Sequence, residues 1–234
     1  MLQQYLDKVE SPFWAWNIKA GRYFDRSTGR FLSQANLEKL QKRHISFLER
    51  DIQMVGELLL RGQISLRTWQ EATATAMKTL WLHQAVLGKG GLKQMSASDY
   101  LAVGRQLRTQ YSWLRDFAID INRGYSVSEK GQQIPLTEAR FRQRLKLYAR
   151  AGRVSFQTGQ QEVAKSQGKY FMWRTLGLTD RHCSECVSYR AAGVRPVGGL
   201  PLPGQACSCR ANCLCKVFYS GSLAEAMVLR GEKP

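Results

Sequence analysis

The sequence predicts a mainly α chain: an antiparallel helical bundle followed by a small α+β, cysteine-rich, zinc-knuckle-like module. Three observations carry this. Apolar residues recur at threes and fours through long stretches between residues 33 and 168, as on one face of a helix. All six cysteines lie between Cys183 and Cys215. Between residues 191 and 206, seven of sixteen residues are Gly or Pro, a composition that cannot bury a core of its own. The chain therefore divides into an aromatic arm (1–32), a helical domain (33–168) and a cysteine-rich module (169–234).

In the arm, Pro12-Phe-Trp-Ala-Trp16 precedes Gly21-Arg-Tyr-Phe24 and a turn sequence, Asp25-Arg-Ser-Thr-Gly29, so a short hairpin with its turn at Asp25–Gly29 is expected. Phe13, Trp14, Trp16, Tyr23 and Phe24 are candidate anchors for docking a neighbouring protein. The alternative is that these rings fold back on the chain's own helices.

Ser33 is a candidate N-cap, and Leu37, Leu40, His44, Leu48, Ile52, Val55 and Leu59 form an inward stripe up to a stop at Gly62. A second helix is expected from Ser65 to Leu87, ended by Gly88, Gly90 and Gly91. Ser96-x-x-Asp99 has the form of a capping box and opens a third helix that Gly124 closes. A fourth helical stretch runs from Leu136 to Gln167, with a break expected near Gly152 or Gly159. His44 lies on an apolar face and reads as a core residue. Tyr170–Thr175 and Cys215–Tyr219 read as strands.

The chain carries 35 Lys plus Arg against 18 Asp plus Glu, a net charge of +17. Such a surplus speaks to partners, and nucleic acid is the first expectation through phosphate contacts. Residues 137–174 hold nine basic groups against Glu138 and Glu162, whereas residues 33–62 hold five against four. Arg140, Arg142, Arg144, Lys146, Arg150 and Arg153 are thus the candidate phosphate-facing residues, since arginine forks suit phosphate. No basic leader followed by an apolar stretch is visible at the start, and no apolar run approaches the roughly 20 residues that span a bilayer. A reducing cytosol, with no membrane partner, is the expected setting, and clustered cysteines there favour metal over disulfides.

Cys183-x-x-Cys186 is a zinc-knuckle pair, and a second pair some twenty residues later would complete a tetrahedral site. Cys213 and Cys215 are expected to diverge, so Cys209 with one of them is the favoured second pair and Cys207 the spare. Six cysteines exceed the four that one site needs. One zinc with two free thiols, one zinc with a disulfide, and three disulfides all stay open. A site closed by cysteines is structural, and His182 is a lesser candidate for one ligand. Enzyme readings find little support. A zinc deaminase needs His-x-Glu and Pro-Cys-x-x-Cys, and His182-Cys-Ser-Glu185 has the wrong spacing. No nucleophile elbow, P-loop or dinucleotide fingerprint is present.

Trp173-Arg-Thr, Cys183-x-x-Cys186, and Pro203-Gly204 leading into Cys209-x-x-Asn212-Cys213-x-Cys215 together resemble the phage head morphogenesis family, the Mu F-like minor capsid proteins. Tyr23-Phe-Asp-Arg-Ser-Thr-Gly29-Arg-Phe31 looks like a segment that precedes the helices in that family. The resemblance covers roughly residues 170–219, with 22–32 in support. Arg210 stands where the family has a histidine, and Leu214 where it has an arginine. The resemblance implies a minor head protein that catalyses no reaction, placed inside a tailed-phage capsid near the portal after assembly in the host cytoplasm. It would assist head assembly, DNA packaging or ejection, with the portal or major capsid protein and packaged DNA as partners. A free nucleic-acid-binding regulator with a zinc knuckle is the competing expectation.

Overall fold

The computed structural model describes residues 14–231 apart from 18, 21, 129 and 180. It is mainly helical, with small sheets and the cysteine-rich segment at the C-terminal side. Two short strands, β1 (Trp14–Asn17) and β2 (Arg22–Asp25), pair antiparallel. The expected turn at Asp25–Gly29 is present, closed by the Gly29 amide donating to the Asp25 carbonyl at 2.8 Å. It supports only a single bridge, Phe24 to Phe31; the longer pairing is the one that precedes it.

Helix α1 (Gln34–Leu60) begins where the Ser33 hydroxyl accepts from the Asn36 amide. Helix α2 (Leu66–Lys89) is capped by Ser65 and ends at Gly90 in the left-handed conformation. Helix α3 (Ala97–Arg123) carries the full reciprocal capping box between Ser96 and Asp99. A small hairpin, β3 (Tyr125–Val127) with β4 (Gln133–Pro135), leads to α4 (Glu138–Ala151). The break expected in the last helical stretch falls at Gly152, after which α5 (Arg153–Ser166) continues.

Helix α2 is the axis of the bundle. It packs against α1, α3 and α5, while α1 also packs against α4. The short link between α1 and α2 makes these two long helices antiparallel. The main core joins Ile52, Trp69, Met77, Leu80, Leu114, Phe117, Phe141 and Leu145, all essentially inaccessible. The rings of Trp69 and Phe117 meet edge to face at 5.7 Å, the preferred arrangement for their quadrupoles. Helices α2 and α5 cross closely, and two glycines permit it. A Cβ at Gly88 would collide with the Phe156 carbonyl oxygen, and one at Gly159 would lie 2.8 Å from the Lys89 nitrogen. Gly88, expected only to end a helix, and Gly159, expected only as a possible break, are instead residues of close approach.

The module is built on a three-stranded antiparallel sheet in the order β6 (Arg195–Pro196), β5 (Phe171–Thr175), β7 (Lys216–Ser220). Helix α6 (Ser184–Ala191) packs on β5, and α7 (Leu223–Arg230) packs on β5 and β7. Trp173 stacks on Phe218 across the β5–β7 pair at 5.6 Å. Met172, on the opposite face, meets Leu200 and Leu202 from the Gly/Pro-rich loop.

Candidate metal centre

All six cysteines converge. Cys183, Cys186, Cys207 and Cys209 have their sulfurs within 4.8 Å of one another, and Cys186, Cys213 and Cys215 form a second such group. Cys186 is common to both. The Cys209 and Cys183 sulfurs are 3.0 Å apart, and Cys186 is 3.6 Å from both Cys209 and Cys213. Tetrahedral zinc thiolates, with metal–sulfur bonds of ~2.3 Å, set their sulfurs about 3.8 Å apart. The donor type and the convergence therefore fit a metal ion, and the four-thiol group supplies a complete set.

Local structure explains the convergence. Cys183 is the N-cap of α6, and its sulfur accepts from the Cys186 amide at 3.4 Å. One turn of helix thus aims Cys186 at the same point. Cys207 and Cys209 flank a turn that the Arg210 amide closes on the Cys207 carbonyl. The Ser208 hydroxyl on that turn donates to the Glu185 carboxylate at 3.0 Å, tying the two cysteine segments together. The Glu185 carboxyl is held down to about 2, first by its own amide near the α6 N-terminus and then by Ser208.

Two sequence expectations are overturned. Cys207 is not the spare: it is buried and belongs to the four-thiol group. Cys213 and Cys215 do not diverge. Residues two apart on extended chain share a face, and both sulfurs point inward while Leu214 between them is half exposed. These two cysteines reach the four-thiol group only through Cys186. His182 belongs to neither group, and all six cysteines are free thiols in this structure.

Arg174 closes the inner side of the cluster. It is 1% exposed on the central strand, and its Nη2 donates to the Cys186 sulfur at 3.5 Å and the Cys213 sulfur at 3.6 Å. Its Nη1 donates to the Pro201 carbonyl at 3.1 Å, and the guanidinium lies over the Tyr189 ring. A buried cation needs compensating charge, and the sulfurs are the groups present. Burial works against the guanidinium's charge, but the neighbouring sulfurs raise its pKa overall. The sulfurs respond in turn. Burial also opposes ionisation of Cys183, yet donation from Cys209 and the Cys186 amide holds it down to about 6. Cys215 is lowered, against burial, by Cys186 and by Arg174. Burial pushes Cys213 up to about 12 and raises Cys186 and Cys209.

The expected phosphate-facing residues are placed differently from the sequence expectation. Arg153, at the start of α5, donates to the Cys213 carbonyl at 2.8 Å and the Cys215 carbonyl at 3.3 Å, so it fastens the cysteine loop to the bundle. Arg150 reaches Asn212 at 3.2 Å and Glu49 at 3.6 Å. Arg142 grips Glu57 with two nitrogens, at 2.6 and 3.1 Å, and also meets Glu138. Arg144 pairs with Asp120 at 2.7 Å and lies over the Phe117 ring, and Arg140 donates to the Pro135 carbonyl at 2.9 Å. Only Lys146 of the six makes no such contact among the described residues. Of this basic stretch, Arg142 and Arg144 are paired with carboxylates of the bundle and Arg150 and Arg153 reach the module, while Arg140 stays exposed.

The docking anchors separate similarly. Tyr23 is 3% exposed and packs with Leu40, Val86, Leu87 and Phe156, so it belongs to the chain's own core and not to a docking surface. Phe24 is partly buried beside it. Trp14 and Trp16 lie in β1, but their side chains, like Phe13 as a whole, lie outside the described residues.

No helix among the described residues is long and apolar enough to cross a membrane. Comparison with family models, with curated proteins and with solved structures finds no match to this chain.

Proposed function

We propose that this chain is a structural minor head protein of a tailed phage, placed inside the head near the portal, with zinc as the metal of its C-terminal module. It would assist head assembly, DNA packaging or ejection, beside the portal or major capsid protein and packaged DNA. The observation that carries this reading is the meeting of the motif residues in space. Arg174 of Trp173-Arg174-Thr175, the Cys183–Cys186 knuckle and the Cys207–Cys215 loop form one cluster, which gives the spacing pattern a physical reason.

The chemistry of that cluster supports a structural role. Bound zinc would supply tetrahedral cross-linking of two loops that have little core of their own. Cys183, Cys186, Cys207 and Cys209 would hold it. Arg174 offsets thiolate charge from the buried side, and Glu185 fixes the Cys207–Cys209 turn from the other. A four-cysteine set leaves no coordination position for a substrate, which favours a staple over a catalyst. The +17 charge suits a place among packed DNA.

Mass spectrometry of purified virions, with the chain's copy number measured against the portal, tests the placement. Its presence at a few copies per virion is the expected result. Absence from virions, with tight binding to one DNA sequence, would instead favour the regulator reading.

A further inference from the structure

The helix with almost no net charge in sequence presents a cationic outward face. Helix α1 carries Glu38, Glu49, Asp51 and Glu57; the three glutamates are committed to cations elsewhere, Glu38 to Lys216 at 3.0 Å, Glu49 to Arg150 at 3.6 Å and Glu57 to Arg142 at 2.6 Å, and Asp51 is partly buried. Its own cations Lys39, Lys42, Arg43 and Arg50 are exposed, with no carboxylate partner among the described residues. They share the outward face with Phe47, which is 42% exposed. Arg43 and Arg50 lie over that ring at 5.7 and 4.6 Å, so one aromatic side chain orders two guanidinium groups.

We infer that this face, Lys39-Lys42-Arg43-Phe47-Arg50, is the surface on which the chain binds the sugar-phosphate backbone of duplex DNA without regard to sequence. The inference rests on the reading of DNA as a partner and names a surface for it. Lys39 to Arg50 spans about 16 Å of helix, a length over which one DNA strand presents roughly five phosphates. The cations form a line, and the arginines offer forks suited to phosphate oxygens. An anionic membrane is the poorer fit. A membrane-surface helix needs a free apolar face, and that of α1 is buried through Leu40, Leu48 and Ile52.

The test is anisotropy of a labelled 30-base-pair duplex of arbitrary sequence, titrated with salt, using the whole chain. Changing Lys39, Lys42, Arg43 and Arg50 together to Gln should make the log–log salt slope shallower by about 3 to 4, at roughly 0.9 per phosphate contact. Changing Arg105, Arg108, Arg115 and Arg123 of α3 to Gln removes the same charge and should leave the slope within about one unit of the parent. Equal losses in both variants would overturn the inference, because net charge alone would then act. Salt-independent binding by the parent would overturn it too, as would polyglutamate competing as well as duplex at equal charge. Circular dichroism melts check folding, which the exposed positions should preserve. Absence from virions would sink the head-protein reading and leave this slope unaltered, so the two failures are distinguishable.

Discussion

The guanidinium of Arg174 donates to the Cys186 sulfur at 3.5 Å, at the one cysteine common to both thiol groups. A fully buried cation on the central strand is thereby set against sulfurs of both thiol groups, and the fold of the module and its metal affinity become one problem. Arg174→Met keeps the volume and removes the charge. Metal affinity should fall 10- to 100-fold, as for other residues that support metal ligands, measured by competition with a chelator. An unchanged affinity would mean that the pairing is incidental.

Arg153 is the main tie between bundle and cysteine loop. Arg153→Met removes two charge-assisted hydrogen bonds to the Cys213 and Cys215 carbonyls and should cost about 2–4 kcal/mol. Amide exchange over residues 213–217 should rise well before exchange in the α2 core. Arg140→Gln, at an exposed position, should shift stability by less than about 0.5 kcal/mol.

At the α2–α5 crossing, Gly88→Ala places a methyl group against the Phe156 backbone. Backbone cannot yield as a side-chain tip can, so the helices must separate at a cost of at least about 1–3 kcal/mol. Thermal unfolding should drop by several degrees. A melt unchanged from the parent would place the crossing wrongly.

Tyr23 gives the arm its hold on the bundle. Tyr23→Ala leaves a void among Leu40, Val86, Leu87 and Phe156 and should cost about 3 kcal/mol by the large-to-small rule. An arm residue whose only use was docking on another protein would show no such loss.

Much of the helical framework was legible in the sequence because caps and stripes are local. Ser33, Ser65 and Ser96, with Gly90 and Gly124, mark ends that the structure reproduces. The cysteine knuckle was legible for the same reason: Cys183 and Cys186 lie on one turn. Cys207 was missed because its place depends on a turn whose closure the spacing does not encode. Cys213 and Cys215 were separated by a mistaken expectation, although the two-residue period of extended chain puts both on one face. Arg174 had a visible signal, a charge inside the apolar strand Phe171–Thr175 that burial would force to find a partner. The pairing of the basic α4 residues was not legible, because composition counts charges while Glu49, Glu57 and Asp120, distant in sequence, decide which of them are paired.

Native mass spectrometry of the reduced chain, with elemental analysis, counts the metal directly. One zinc per chain is expected, lost in Cys183→Ser and Cys207→Ser and retained in Cys215→Ser. A folded chain that carries no metal, or one that keeps its zinc without Cys207, would contradict the four-thiol staple.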